Sequence, residues 1–154
     1  MINKQNIKKI KLKPKNASAC ILLNNGKILL QKRDFKKNIF YPGYHGFFGG
    51  AKEKNETYLS CIKREINEEL GINIKKKRFK FFSKNSLDFS PIKEKIFFRY
   101  YYVLKLNNKE VKKIKIKEGI ALKKIEIKKV INSNLKIVPY DAFVLWLFFY
   151  RRKY

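Results

Sequence analysis

The run GAKEKNETYLSCIKREINEELGI, residues 50–72, concentrates carboxylates in a chain that has few of them. Glu53, Glu56, Glu65, Glu68 and Glu69 stand here, in a chain with 12 acidic residues against 38 Lys and Arg and a formal charge of +26. Leu59, Ile62, Ile66 and Leu70 recur at helical intervals, which predicts a helix from Glu56 to Leu70. Asn55 or Thr57 suits its N-cap, and Gly71 stands where a left-handed C-cap is needed. Spacings of three and four residues return to the same side of a helix, so Glu65, Glu68 and Glu69 share one arc. Ile62, Ile66 and Leu70 occupy the adjoining side and should face a sheet, which sets the carboxylates at the border of core and solvent.

Like charges on one arc repel, and two roles account for them. One is a solvated salt-bridge face, with Arg64 paired to Glu68 one turn on and Lys63 nearby. The other is a hard-cation site, since three oxygen donors without His or Cys suit Mg²⁺ or Mn²⁺, whose shells are completed by water and phosphate oxygens.

The same residues carry a resemblance. Gly50, five residues, Glu56, seven residues, Arg64-Glu65-Ile66, one residue, Glu68-Glu69, one residue, Gly71-Ile72 resembles the whole Nudix box, G-x5-E-x7-R-E-U-x-E-E-x-G-U, where U is a bulky aliphatic residue. The flanking LLQKRD (29–34) and YPGYHGFFGG (41–50) are also similar to the Nudix hydrolase domain, so the likeness covers about residues 15 to 150. It implies the α/β class and an α/β/α sandwich with a central mixed β-sheet, the box forming a loop, a helix and a second loop. It implies hydrolysis of a nucleoside diphosphate linked to another moiety. Glu65, Glu68 and Glu69 would bind Mg²⁺ or Mn²⁺, with a backbone carbonyl from Gly49 or Gly50. Arg64 would orient the glutamates, and Glu56 would hold the box loop together with the glycines Gly50 and Gly71. Glu65 is the expected general base, which makes Glu65, Glu68 and Arg64 the catalytic set. Glu118, in KEGIAL, resembles a further metal-binding glutamate of the family, with Glu94 and Glu110 as competitors. Glu53 matches no fixed box position.

One departure precedes the box. His45, in YHGFFGG, stands where the family often has tryptophan, which leaves Arg33, Tyr41, His45 and Phe47 as candidates for base or phosphate contacts. Core packing is the competing role for Phe47. The aromatic and glycine-rich stretch 34–50 is either a base-stacking platform or a lid over the core. The flanks most resemble the MutT-like branch, and that resemblance favours a small nucleoside triphosphate, ordinary or oxidised, as substrate. An RNA 5′-pyrophosphohydrolase is the alternative enzyme, and a nucleotide- or RNA-binding module without turnover the alternative class. The complete glutamate set counts against the latter.

Composition bounds the rest. At 154 residues and 45% apolar content the chain is expected to form a single domain over 15–154 behind a basic segment, 1–14. The charge would draw polyanions, RNA among them, although the abundance of Lys, Asn and Ile is also what an AT-rich coding sequence produces. Cys20 and Cys61 lack metal-site or disulfide spacing and are expected to be buried reduced thiols. Ala17 to Leu23 is short for a secretory h-region, and AFVLWLFFY falls well short of the ~20 residues of a membrane span, so a cytoplasmic protein without membrane contact is expected. With His45 as the single histidine, a Ser or Cys triad is disfavoured.

The remaining pattern predicts a hairpin of 17–23 and 27–33 around Asn24, Asn25 and Gly26, and strands at 73–82, 95–106 and 119–127. KIKIK (113–117) alternates like an edge strand, and Pro139 and Asp141 open a terminal apolar helix.

Overall fold

In the computed structural model, which describes residues 14–151, ASACILLN forms β1 (Ala17–Asn24), buried at every position. A strand buried on both faces needs partners along both edges and helices on either side. β2 (Lys27–Lys32) and β4 (Phe48–Ala51) pair antiparallel along one edge of β1, and β6 (Ile96–Lys105) pairs parallel along the other. β3 (His45–Gly46) and β7 (Ala121–Glu126) join β2, while β5 (Lys80–Asp88) joins β6, completing a mixed sheet of seven strands.

Alternation along the strands divides the core in two. Cys20, Leu22, Leu29 and Leu104 point to one face, against Ile62, Ile66 and Leu70 of α1 (Tyr58–Leu70). α2 (Asn108–Lys113) lies beyond β6, its start closed by a reciprocal capping box between Asn107 and Glu110. Ala19, Ile21, Leu23, Ile28 and Leu30 point to the other face, against Ile127 and Val130 of α3 (Ile127–Ile131) and Val144, Leu145 and Phe148 of α4 (Pro139–Arg151). The α/β/α sandwich implied by the box is therefore the fold. Cys20 and Cys61 are buried free thiols. Among the described residues no helix is long and apolar enough to cross a membrane. Residues 1–13 of the basic N-terminal segment lie outside the described residues.

The first hairpin forms at the expected place, its two-residue loop being Asn25 (φ 48°) and Gly26 (φ 72°), the positive-φ pair that matches strand twist. Two expected strands differ. Residues 73–75 are irregular, 76–78 make a single 3-10 turn, and the strand runs over Lys80–Asp88. SKNS lacks an apolar run, yet its backbone is enlisted by the long antiparallel pairing with β6, from Lys80 opposite Val103 to Asp88 opposite Ile96. KIKIK is not a sheet edge either. Its first residue ends α2, and Lys115 and Lys117 then donate backbone N–H bonds to Leu70 O and Glu69 O, both 2.9 Å. Its alternation marks an extended segment, but its partner is the C-terminus of α1, whose last carbonyls have no acceptor role inside the helix.

Candidate active site

α1 starts at Thr57, whose Oγ1 accepts the Ser60 N–H at 3.1 Å, and stops at Gly71 in the left-handed conformation (φ 67°). Its carboxylate arc is graded in burial. Glu69 is 3% exposed, the Glu65 side chain 12% and that of Glu68 52%. Glu69 turns inward across the β4 strand: Oε2 accepts the Gly49 N–H at 2.8 Å and Oε1 accepts the Gln31 Nε2–H at 3.1 Å. The same Gln31 nitrogen reaches Glu118 O at 3.2 Å, tying the Glu118-Gly119 turn to the helix. Burial pushes the Glu69 carboxyl up to about 8, helped by the Glu65 and Glu118 charges and opposed by the bonds from Gly49 and Gln31. Burial also raises Glu65, opposed by Arg64 and reinforced by Glu68 and Glu118.

Arg64 is the hub of the box. Nε and Nη2 grip Glu56 at 3.2 and 2.7 Å, Nη1 donates to Glu65 at 2.8 Å and Glu68 at 2.9 Å, and Nη2 also reaches Ala51 O at 3.0 Å. Glu56 in turn accepts the Glu53 N–H at 2.8 Å, closing the loop. Hydrogen bonding from Arg64 holds the Glu56 carboxyl down at about 2. A carboxylate with a depressed folded-state value stabilises the fold above its ordinary value of 4.5 and loses that contribution as pH falls toward 2. Unfolding measured from pH 6 to 2 is therefore expected to show a stability loss between about 4.5 and 2 that is reduced in Glu56→Gln.

The glycines are required by what surrounds them. A Cβ on Gly50 would lie 2.6 Å from the Glu65 carboxylate, and one on Gly49 (φ 136°) would lie 2.2 Å from Ser18 O. Gly26, with positive φ but nothing within 4 Å, separates the two costs. Gly49→Ala is expected to destabilise by about 3 kcal/mol or to prevent folding, against about 1 kcal/mol for Gly26→Ala, as read from thermal unfolding.

Glu65, Glu68, Glu69 and Glu118 border a cleft of about 640 Å³, joined by Gln31, Arg33, Lys36 and Lys117. Acidic and basic side chains thus both border the cleft. Of the competitors to Glu118, Glu110 is taken by the α2 cap and an ion pair with Arg78, and Glu94 lies in the β5–β6 connection. Arg33 and Tyr41 border a second pocket beside the first. His45 instead pairs with Lys32 and Ile137, and Phe47 is 1% exposed in the core, so neither borders the cleft. Gln31 and Lys117 are site residues that the motif does not contain. Their placement depends on β2 and on the segment that docks beneath Leu70.

Among the described residues no three carboxylate, imidazole or thiol groups are gathered closely enough to hold one ion as they are placed. Arg64 draws Glu65 and Glu68 to itself, while Gly49 and Gln31 fix Glu69. The donor set nonetheless suits a hard cation: it is all oxygen, borders one cleft, and contains two carboxyls raised by burial and neighbouring negative charge, a condition that a divalent ion relieves.

A mixed sheet between helices, with a glutamate-bearing helix laid over a Gly-Gly strand, defines an α/β sandwich protein with an acidic cleft. The family model for the NUDIX domain matches residues 13–140, and the chain belongs to the Nudix family. A curated relative, the nucleoside triphosphatase NudI of Enterobacter sp. (strain 638), is 43% identical over 51 residues, 33% of this chain and 36% of that protein. The match thus spans about a third of that relative's length. Among solved structures, the MutT protein of Methanosarcina mazei Go1 superimposes with a TM-score of 0.71 at 17% identity, covering 92% of this chain and 99% of that one. The MutT NUDIX hydrolase of Burkholderia pseudomallei does so with a TM-score of 0.67 at 19% identity, covering 86% and 96%.

Proposed function

We propose that this chain is a cytoplasmic, divalent-cation-dependent pyrophosphohydrolase that cleaves the phosphoanhydride of a small nucleoside triphosphate, ordinary or oxidised, or of a related nucleoside diphosphate derivative. The observation that carries it is the four-glutamate cleft, in which Glu69 is buried and the Glu65 side chain largely so, beside Glu68 and Glu118, with cationic side chains also lining it. The family and the nucleoside triphosphatase relative support the same reaction class.

Mg²⁺ or Mn²⁺, held by Glu65, Glu68, Glu69, Glu118 and the Gly49 carbonyl, would supply neutralisation of the diphosphate oxygens and a lowered pKa for water. The other tasks fall to the chain. Glu65, a carboxyl raised above its ordinary range, accepts the proton of the attacking water. Arg64 keeps Glu65 and Glu68 oriented through Nη1. Arg33, Lys36 and Lys117 balance the charge of the phosphate chain, and Tyr41 stands at the pocket beside it.

The test is a substrate panel with Mg²⁺ or Mn²⁺: nucleoside triphosphates, oxidised triphosphates, nucleotide sugars, dinucleoside polyphosphates and 5′-triphosphate RNA, followed by phosphate and pyrophosphate release. Release from one or more mononucleotides is expected. Absence of release from every compound sinks the hydrolase proposal and leaves a binding module. The charge of +26 favours one second reading, RNA 5′-end hydrolysis, which would appear as turnover of RNA that falls steeply with salt while mononucleotides are spared.

A further inference from the structure

The pocket that adjoins the glutamate cleft, of about 380 Å³, shares Arg33, Gly49, Gly50 and Ala51 with it. Sheet register explains the junction: Ala51 lies opposite Ala17 on β1, and Ala17 opposite Arg99 on β6, so Arg99 sits two strands across from the end of β4. The walls are aromatic, from Phe40 and Tyr41 on the loop, Phe89 and Phe97 at the β5–β6 turn, and Tyr140 at the start of α4. The aromatic lining and the walls shared with the cleft suit a flat ring attached to a phosphate chain lying in the cleft.

Arg99 gives that pocket a chemical polarity. Its side chain is 13% exposed, its guanidinium carbon lies 5.0 Å from the Tyr140 ring centre and 5.6 Å from that of Tyr101, and its Nε is buried without a hydrogen-bond partner. Asp141 stands 3.6 Å from that Nε, beyond hydrogen-bonding distance. Its carboxylate is already engaged, accepting the Tyr101 O–H at 3.2 Å and the Phe47 N–H at 3.0 Å. Asp141 therefore balances the charge of Arg99 and leaves donors unspent. Among the described lining residues there is no Asp, Glu, Asn or Gln, whereas Lys15, Arg33 and Arg99 contribute donors only.

An aromatic slot edged by donors accepts a ring edged by acceptors. On the nucleotide reading this pocket takes the nucleobase, and we propose that Arg99 is its specificity-determining residue, selecting bases that present a carbonyl, such as hypoxanthine, guanine or uracil, over bases presenting an amino group at the same position. The guanidinium fork takes a purine through O6 and N7 or a uracil through O4, while an exocyclic amino group at that position would set donor against donor. The assignment rests on the nucleotide reading above and deepens it by naming the base class.

Two isosteric pairs test it, IMP with AMP and UMP with CMP, each titrated without metal by calorimetry so that no turnover is involved. A protein inactive on every triphosphate can still give the expected result, and an active one can fail to. The carbonyl member of at least one pair is expected to bind about tenfold more tightly or better, and Arg99→Met should bring the two members of that pair to within twofold. Arg99→Met exposes Asp141 to an unpaired burial, so Arg99→Met/Asp141→Asn serves as the folded comparison. Equal affinity within both pairs for the unaltered protein overturns the proposal, as does a preference that survives in the double variant.

Discussion

Glu65→Gln is expected to lower kcat about 10²- to 10⁴-fold while leaving KM within a few-fold, because a general base acts only in the transition state. The amide keeps the Arg64 contact through its oxygen but cannot take a proton. Folding should not suffer: burial already disfavours the ionised form of Glu65, so a permanently neutral isostere removes a penalty. The expected signature is lost turnover with a melting temperature equal to or above that of the parent, measured on the best substrate of the panel. Glu94→Gln, an exposed change outside the cleft, is the control and should retain full rate. Full activity in Glu65→Gln would remove it from the base role.

Arg64→Ala is expected to destabilise the fold strongly. The side chain is 25% exposed, whereas the Glu56 and Glu65 carboxylates it serves are 14% and 12% exposed, so removal strands two largely buried acceptors. Breaking such an arrangement costs about 3–5 kcal/mol, which for a chain of this size corresponds to roughly 10 °C in Tm. Turnover should fall as well, since Glu65 and Glu68 lose the group that orients them. A second change separates hub from bystander: in Glu56→Gln/Arg64→Ala the two losses should be non-additive by about 1 kcal/mol or more. A Tm shift of 2 °C or less for Arg64→Ala would reduce the network to an ordinary surface ion pair.

The spacing of the box was legible because every one of its positions serves something local. Glu65, Glu68 and Glu69 share an arc by helical geometry, Gly71 ends the helix by its φ, and Gly50 leaves room for Glu65. Local pattern also placed the Asn25-Gly26 hairpin and the terminal helix at Pro139. The alternation of KIKIK reported an extended backbone faithfully, yet it carried no information about the partner. An extended segment offers the same donors to a sheet edge and to the end of a helix.

Arg99 shows the same division more sharply. In IFFRYYYV it is a lone charge inside an apolar strand, a visible anomaly, since arginine is seldom buried without a partner. That its partner is Asp141, 42 positions away, follows only from α4 packing on the sheet face that holds Tyr101. Gln31 has no motif at all, and becomes a site residue because β2 brings it beneath Glu69 and Glu118.

What the sequence by itself determined about this protein is the helix that carries the glutamates, its caps, the small Gly50 before it and the family these define. All of them are encoded within 23 neighbouring residues, where backbone geometry converts spacing into position. The Gly49-Gly50 pair itself lies in strand β4, because β1 pairs with it. Tertiary structure alone decided how deeply each carboxylate is buried, which of the outlying glutamates meets the cleft, and which side chains floor the adjoining pocket. Burial and charge crowding depend on distances between segments far apart in the chain, and those distances exist only once strands have paired and helices have docked.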